Sequence, residues 1–423
     1  MPESNPSPQV ERPLGLFEAY GVELEYMLVS AETLDVAPAA DRLLEAVAGE
    51  LTDEYENGDV AWNNELALHV IEFKCNGPRP SLAGLADAFQ RNVGIALAAL
   101  RRDELKLMPG AMHPWMDPLG VELWPHGAKD IYETFDRIFG CKGHGWANLQ
   151  SAHLNLPFSG DAEFGRLHAA IRLLLPTLPG LAASSPVIDG AVNGTADNRL
   201  VVYRGNCARI PSITGEVIPE PIYSMEEYHE RLLERLYADL APYDPEGILR
   251  REWVNARGAI ARFERKAIEI RVLDIQECPA ADLALMGLIV DTLKSLCEER
   301  WADLRSIKAW PTRDLARLLR LAERRAEQAE VGDGRYLEAF GLRRTGTTLA
   351  GLWEHLIESA ASRGAIGERD GRILEHFLRR GTLATRIMRA LGAEPKRPDL
   401  ERVYGRLCDA LATGTSFGDG LGE

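Results

Sequence analysis

The first regular pattern in the chain spans residues 21–30, where Val22, Leu24, Tyr26 and Leu28 recur at every second position and Glu23 and Glu25 fall between them. Period two predicts a strand with one apolar and one acidic face. Further strands are predicted over 66–74, closed by an Asn76-Gly77-Pro78 turn, and over 150–156, 200–204 and 267–273. Helical spacing predicts helices over 39–51, over 81–102 with Ser81 as cap, over 161–175 stopped by Pro176, and over 280–300. Beyond Trp301 the pattern turns Arg- and Leu-rich and helical, over 313–329, 347–362, 368–391 and 399–412, before a glycine-rich stretch, 413–423, that is expected to fray. Residues 109–127 read as a loop, and the loop over 205–220 is too long for a plain connector, which marks it as functional or mobile.

These elements divide the chain into a polar flexible tail over 1–13, a sheet-based catalytic domain over 14–300 and a helical C-terminal region over 301–423 packed on it. With 46% hydrophobic and 26% charged positions in 423 residues, the chain has the balance of a folded globular protein with ample core. A formal net charge of -16 opposes any general grip on nucleic acid or an anionic membrane, so neither is an expected partner. The six cysteines are scattered without a C-x-x-C pair, as for reduced thiols in a cytoplasm, and Cys75 reads as a buried turn cysteine in place of a catalytic thiol. The tail lacks the basic and apolar regions of a secretory signal, and the most apolar stretches are broken by Pro176 and Pro179 or by Asp282 and Asp291. A soluble, cytoplasmic protein is expected.

The candidate chemistry is acidic. Glu23 and Glu25 emerge on one strand face about 7 Å apart, where two bare anions repel by about 2 kcal/mol at an effective dielectric near 20. Alone, such a pair is most often solvated surface. Glu65 and Glu72 are separated by seven, an odd spacing that sends them to opposite faces of a straight strand, so one lies outside the strand or a bulge intervenes. His153 and Asn155 share a face of the third strand, after Gln150, and a lone strand histidine is more often a core residue than a ligand. Glu269 and Arg271 share a face of another strand, with Arg257, Arg262, Arg265 and Lys266 nearby, and an ion pair explains those two equally well. What carries weight is accumulation: at least three strands direct carboxylate or imidazole groups at one sheet face beside clustered cations. Magnesium takes hard oxygen ligands, and phosphoryl transfer needs metal and Arg or Lys more than a covalent nucleophile. No G-x-x-x-x-G-K phosphate loop occurs.

In this order, GVELEYML, the Glu65–Glu72 segment with its cysteine turn, PGAMHP around His113, QSAHLNL, LAASSPVIDG, VVYR and AIEIRVLD resemble the second family of glutamate-cysteine ligases, including its carboxylate-amine ligases. More distantly, the set is similar to glutamine synthetase. The resemblance implies an α+β fold with a strongly curved antiparallel β-sheet of glutamine synthetase and guanido kinase type, helices on its outer face, and a helical C-terminal region. It further implies ATP and two or three Mg2+ ions, with Mn2+ as a substitute. Carried over by position, Glu23, Glu25, Glu65, Glu72, His153 and Glu269 hold metal. Arg257, Arg262, Lys266 and Arg271 meet the nucleotide. Arg199, Arg204 and Arg271 act on the transferred phosphoryl, while His113, Gln150, Asn155 and Tyr203 face substrate.

The implied reaction is ATP-dependent amide or peptide bond formation through an acyl phosphate, joining the glutamate γ-carboxylate to an amine such as cysteine. Two departures bear on substrate: His153-x-Asn155 stands where many relatives have H-x-H, and the helical region after Trp301 is longer than in small members. The alternatives are a guanidino-type phosphotransferase on a similar sheet, or a sensor that binds an amino acid or nucleotide without turnover. Expected partners are a small amino acid and an amine, with homo-oligomerisation left open.

Overall fold

The computed structural model describes residues 12–418. In chain order the strands are β1 (Gly21–Ser30), β2 (Glu54–Asn57), β3 (Val60–Asn64), β4 (Val70–Cys75), β5 (Leu105–Met108) and β6 (Ser151–Pro157), a short hairpin of β7 (Val187–Ile188) and β8 (Ala191–Val192), and β9 (Ala259–Arg262) and β10 (Ala267–Asp274). Of these, all but the hairpin belong to one sheet, ordered β2-β3-β4-β1-β6-β10-β9, with β5 on the second half of β1, and a further two-stranded pair, β11 (Glu330–Val331) with β12 (Thr347–Thr348), lies in the C-terminal region. Every pairing in the large sheet is antiparallel. The architecture is α+β, a large antiparallel sheet with many helices.

β1 lies at the centre because both of its faces have work to do. Val22, Leu24, Tyr26 and Leu28 are fully buried and join one core with apolar residues of the helices Leu85–Leu100, Gly160–Leu174 and Pro279–Cys297. On the acidic face, Met27 and Val29 are also fully buried, under Leu383, Ile387, Leu400, Val403, Tyr404 and Leu407 of the helices Leu383–Leu391 and Arg397–Thr413. The C-terminal helices therefore cover the acidic face beyond Glu25. They leave open the half that carries Glu23 and Glu25.

Several elements differ from the sequence reading. Residues 200–204 are not a strand but the end of the helix Asn198–Tyr203, whose start is fixed by Asp197 accepting the Leu200 N–H; this cap outweighs the strand preference of Val201 and Val202. The predicted helix over 368–391 breaks at Gly381, with φ of 84°, into Glu368–Arg380 and Leu383–Leu391. Residues 66–69 precede β4 as an irregular segment, because the Leu66 and Leu68 carbonyls accept from Trp124, Ala39 and Ala40. The stretch expected to fray is held up to residue 418: Phe417 is buried and its carbonyl accepts from Arg386 at 2.9 Å. Of the predicted tail, Arg12 pairs with Glu18 and residues 1–11 lie outside the described residues, as do 419–423. Among the described residues, all six cysteines are free and buried, and no helix is long and apolar enough to cross a membrane.

If the helix Arg397–Thr413 shares the sheet's core, Leu407→Ala leaves a cavity against β1 and costs about 2–5 kcal/mol in chemical denaturation. A loss below about 0.5 kcal/mol, the range of ordinary surface substitutions, would show that this helix packs independently.

Candidate active site

Antiparallel register gathers the site. Glu25 lies opposite Glu72, and Glu72 opposite Asn63; Glu23 lies opposite both Lys74 and His153; Asn155 lies opposite both Gly21 and Glu269. Directly opposed residues share a sheet face, so five strands, β1, β3, β4, β6 and β10, deliver their polar side chains to one patch. Glu65 follows the last residue of β3, outside the regular strand, which is how an odd spacing places it in the same cleft as Glu72. The cleft measures about 450 Å³ and takes in Glu23, Glu25, Glu65, Glu72, His153 and Glu269.

The charges are arranged unevenly. His153 Nδ1 donates to Glu23 Oε2 at 2.8 Å, and its Nε2 lies 2.9 Å from Ser151 Oγ, whose hydroxyl is 3.0 Å from Glu25 Oε2. Burial works against a charged imidazole, yet the bond to Glu23 and the charges of Glu23, Glu25 and Glu269 outweigh it and raise the His153 pKa. Burial likewise pushes Glu23 up, but the His153 hydrogen bond holds its pKa below the usual carboxylate value. Glu269, also buried, is drawn far down by Arg271, His153 and Arg262, with Arg262 Nη1 at 2.6 Å and Arg271 Nε at 3.0 Å. Among the described residues no cation is hydrogen-bonded to Glu65 or Glu72, although His153 and Lys74 lie near enough to oppose their shifts weakly. Burial, then neighbouring carboxylates, push Glu65 up to about 8 and Glu72 well above its ordinary value.

This donor set fits divalent cations. One ligand atom each from Glu23, His153 and Glu269 lies within 4.8 Å of the others, and the same holds for Glu25, Glu72 and His153. Carboxylate oxygens dominate, as hard cations such as Mg2+ require, and the single imidazole is shared between the two groups. The raised pKa values of Glu65 and Glu72 mark a crowding of negative charge that a cation would relieve.

Other predicted residues are dispersed. Arg199, Tyr203, Arg262 and Arg271 line the cleft. Asn155 donates to Glu23 Oε1 at 3.0 Å and borders an adjoining hollow. Arg204 points elsewhere, at 2.8 Å from the buried Glu323, and Arg257 is a buried clamp on Glu220 at 2.6 Å and on the Ser212 carbonyl. Lys266 is an exposed turn residue between β9 and β10, with φ of 51°. His113 is fully buried against the Leu34 carbonyl at 2.8 Å, where burial lowers its pKa to about 4. Gln150 precedes β6 and is fully buried away from the cleft; by strand alternation Ser151, His153 and Asn155 are the residues that share the site face.

The sequence reading missed Ser151, Asn63, Asn64, Tyr132 and Trp146, all cleft residues. Parity along QSAHLN contained the signal for Ser151, and the Asn-Asn pair before Glu65 contained it for the asparagines. Tyr132 and Trp146 come from helices outside the sheet, at Lys129–Phe139 and His144–Ala147, and no local pattern ties them to it. The adjoining hollow, about 460 Å³, is walled by Tyr20, Val22, Pro78, Pro157 and Ala267 and shares Glu23, Lys74 and Arg265 with the cleft. The acidic patch thus lines the cleft, and Glu23 at its edge also borders the adjoining hollow.

Comparison with known proteins points one way. The sequence pattern of glutamate-cysteine ligase family 2 matches residues 19–406. An uncharacterised protein of Archaeoglobus fulgidus is 36% identical over 329 residues, 76% of this chain and 88% of that one. Among solved structures, the chain is similar to the glutamate-cysteine ligase of Francisella tularensis in complex with AMP, at 12% identity and a TM-score of 0.60, covering 93% of this chain and 89% of that one. It is also similar to a bifunctional glutathione synthetase of Pasteurella multocida, at 15% identity and a TM-score of 0.60, covering 94% of this chain and 53% of that one. At these identities the two structures speak to fold alone.

Metal binding is expected to displace protons from Glu65, Glu72 and His153. Their folded pKa values are raised, so below about pH 8 protons compete with the cation, and Mn2+ affinity should fall about tenfold per pH unit from pH 8 to 6 for each proton released. Calorimetry in buffers of different ionisation enthalpy reads this directly. Affinity independent of pH, with no proton release, would contradict the assignment.

Proposed function

Because the chain belongs to glutamate-cysteine ligase family 2, and is a carbon–nitrogen ligase by that membership, we propose that it uses ATP and Mg2+ to activate a carboxylate as an acyl phosphate, which an amine then attacks. The single observation that supports this best is the convergence of five glutamates and His153 in one cleft, which with the hollow it adjoins gives two openings, the hollow with an apolar wall and the cleft with a polar and aromatic one. An adenine ring suits the first. The amino-acid and amine substrates suit the second, where Tyr132, Trp146, Tyr203 and the asparagines line the space.

Glu23, Glu25, Glu65, Glu72, His153 and Glu269 would hold the metal, which supplies charge neutralisation for the triphosphate. Arg262 and Arg271 now rest on Glu269, and a phosphate oxygen offers them the same fork of acceptors. Asn155 anchors Glu23, and Ser151 anchors Glu25 through both its N–H and its hydroxyl. The curvature implied by the resemblance would bring the two openings toward one another over the patch. The donor we favour is glutamate through its γ-carboxylate and the acceptor a small amine such as cysteine, in keeping with the family's description. A soluble cytoplasmic setting with small-molecule partners completes the reading.

With ATP, Mg2+, glutamate and a panel of amines, ADP should be released together with an amide detectable by mass spectrometry. A stable phosphorylated product without an amide would instead indicate a phosphotransferase, and no ADP from any mixture would leave only a binding role. Glu23→Gln and Glu269→Gln should each lower turnover by at least about 100-fold while retaining the fold, the scale of losing an electrostatic group at a transition state. Near-normal rates in both would refute the metal assignment.

A further inference from the structure

Arg199 is 2% exposed in the wall of the cleft, and its nitrogens are unequally served. Nε donates to Asp274 Oδ1 at 2.5 Å and Nη1 reaches the Arg271 carbonyl at 3.4 Å, whereas Nη2 has no hydrogen-bond partner among the described residues. A buried charged donor left without an acceptor is costly, and such a group calls for an explanation. What enters the cleft can supply the missing acceptor.

Asp274 is held more completely than the arginine it faces. It is 1% exposed, and its Oδ2 accepts from the Ser184 N–H and from the Ser185 hydroxyl, both at 2.8 Å. Ser185 Oγ in turn accepts the Arg199 backbone N–H at 3.1 Å, and the Ser184 hydroxyl donates to the Ile275 carbonyl at 2.8 Å. The strand is shaped for this. Glu269 and Asp274 are five apart, which would place them on opposite faces of a regular strand, but the register shifts between Ile270 and Leu273 and sets Asp274 opposite Ser151 on the site face.

We infer that Asp274, fixed by Ser184 and Ser185, is a positioning residue that locks the Arg199 guanidinium so that Nη2 is presented to a carboxylate of the organic substrate. The identity of that carboxylate rests on the proposed ligase function; the aiming of Arg199 is a property of this chain alone. Asp197, whose charge also bears on Arg199, is not hydrogen-bonded to it, and a buried ion pair that serves folding only would give no reason for Nη2 of a cleft-lining arginine to stay unpaired.

The test follows the Arg199 Nε–H resonance in full-length protein labelled with 15N-arginine, assigned by its loss in Arg199→Lys, during titration with L-glutamate. The native signal should shift saturably. In Asp274→Asn the affinity for glutamate should fall at least about tenfold, and in Ser185→Ala, which removes one hydroxyl and spares the charge, about threefold. Circular dichroism checks that each variant is folded; should Asp274→Asn fail to fold, the Ser185→Ala affinity decides. Unchanged affinity in the folded variants, or a native signal indifferent to glutamate, overturns the inference. ADP release is scored separately: release with a silent Arg199 signal leaves the ligase reading intact and removes this one, whereas a responsive signal without release does the reverse.

Discussion

Repulsion among carboxylates crowded on one sheet face is the constraint around which this protein is organised. Two such groups about 5 Å apart repel by about 3 kcal/mol at an effective dielectric near 20, and here Glu25 stands directly opposite Glu72. The chain contains this charge in three ways. His153 bridges toward Glu23 and Glu25, Arg262 and Arg271 neutralise Glu269, and the raised pKa values of Glu65 and Glu72 favour their neutral forms. Each remedy is reversible: imidazole and carboxyl protons can leave, and guanidinium groups can turn to another anion. A patch stabilised by replaceable partners has the chemistry to exchange them for cations and phosphates, as the proposed function requires.

The remainder of the fold keeps that patch rigid and limits its extent. The apolar face of β1 is packed against helices, so Glu23 and Glu25 cannot exchange faces without burying charge in the core. The C-terminal helices close the acidic side immediately beyond Glu25. Among the described residues, none after Arg271 lines either cavity, and the helical region covers the sheet face beside them. At the other edge of the patch, the register shift in β10 carries Asp274 to the site face, where it meets Arg199 from the helix Asn198–Tyr203.

Much of this was legible in the sequence, for physical reasons that differ by residue. Glu23, Glu25, His153 and Glu269 were readable because strand parity is local, and alternation alone assigns a face. Glu65 and Glu72 could be named but not placed, since the end of β3 depends on pairing with β2 and β4. Arg204 and Arg257 lie outside the cleft, paired with Glu323 and Glu220, and the sequence did not foretell this because those partners are distant in sequence or in an irregular loop, and charge near a motif says nothing about which anion it meets. His113 and Gln150 share that history: each is buried by tertiary packing that no short pattern records. Tyr132, Trp146 and Asp274 were missed for the complementary reason, two arriving from outside the sheet and one through a shift in register that alternation cannot anticipate.

The central claim is that carboxylates from separate strands converge to hold divalent cations, and anomalous scattering from a crystal soaked in Mn2+ with a non-hydrolysable ATP analogue tests it most directly. The account predicts at least two manganese peaks, one among Glu23, His153 and Glu269 and one among Glu25, Glu72 and His153, each about 2.0–2.3 Å from its ligand atoms. A fully loaded nucleotide with no manganese within reach of these residues would contradict it.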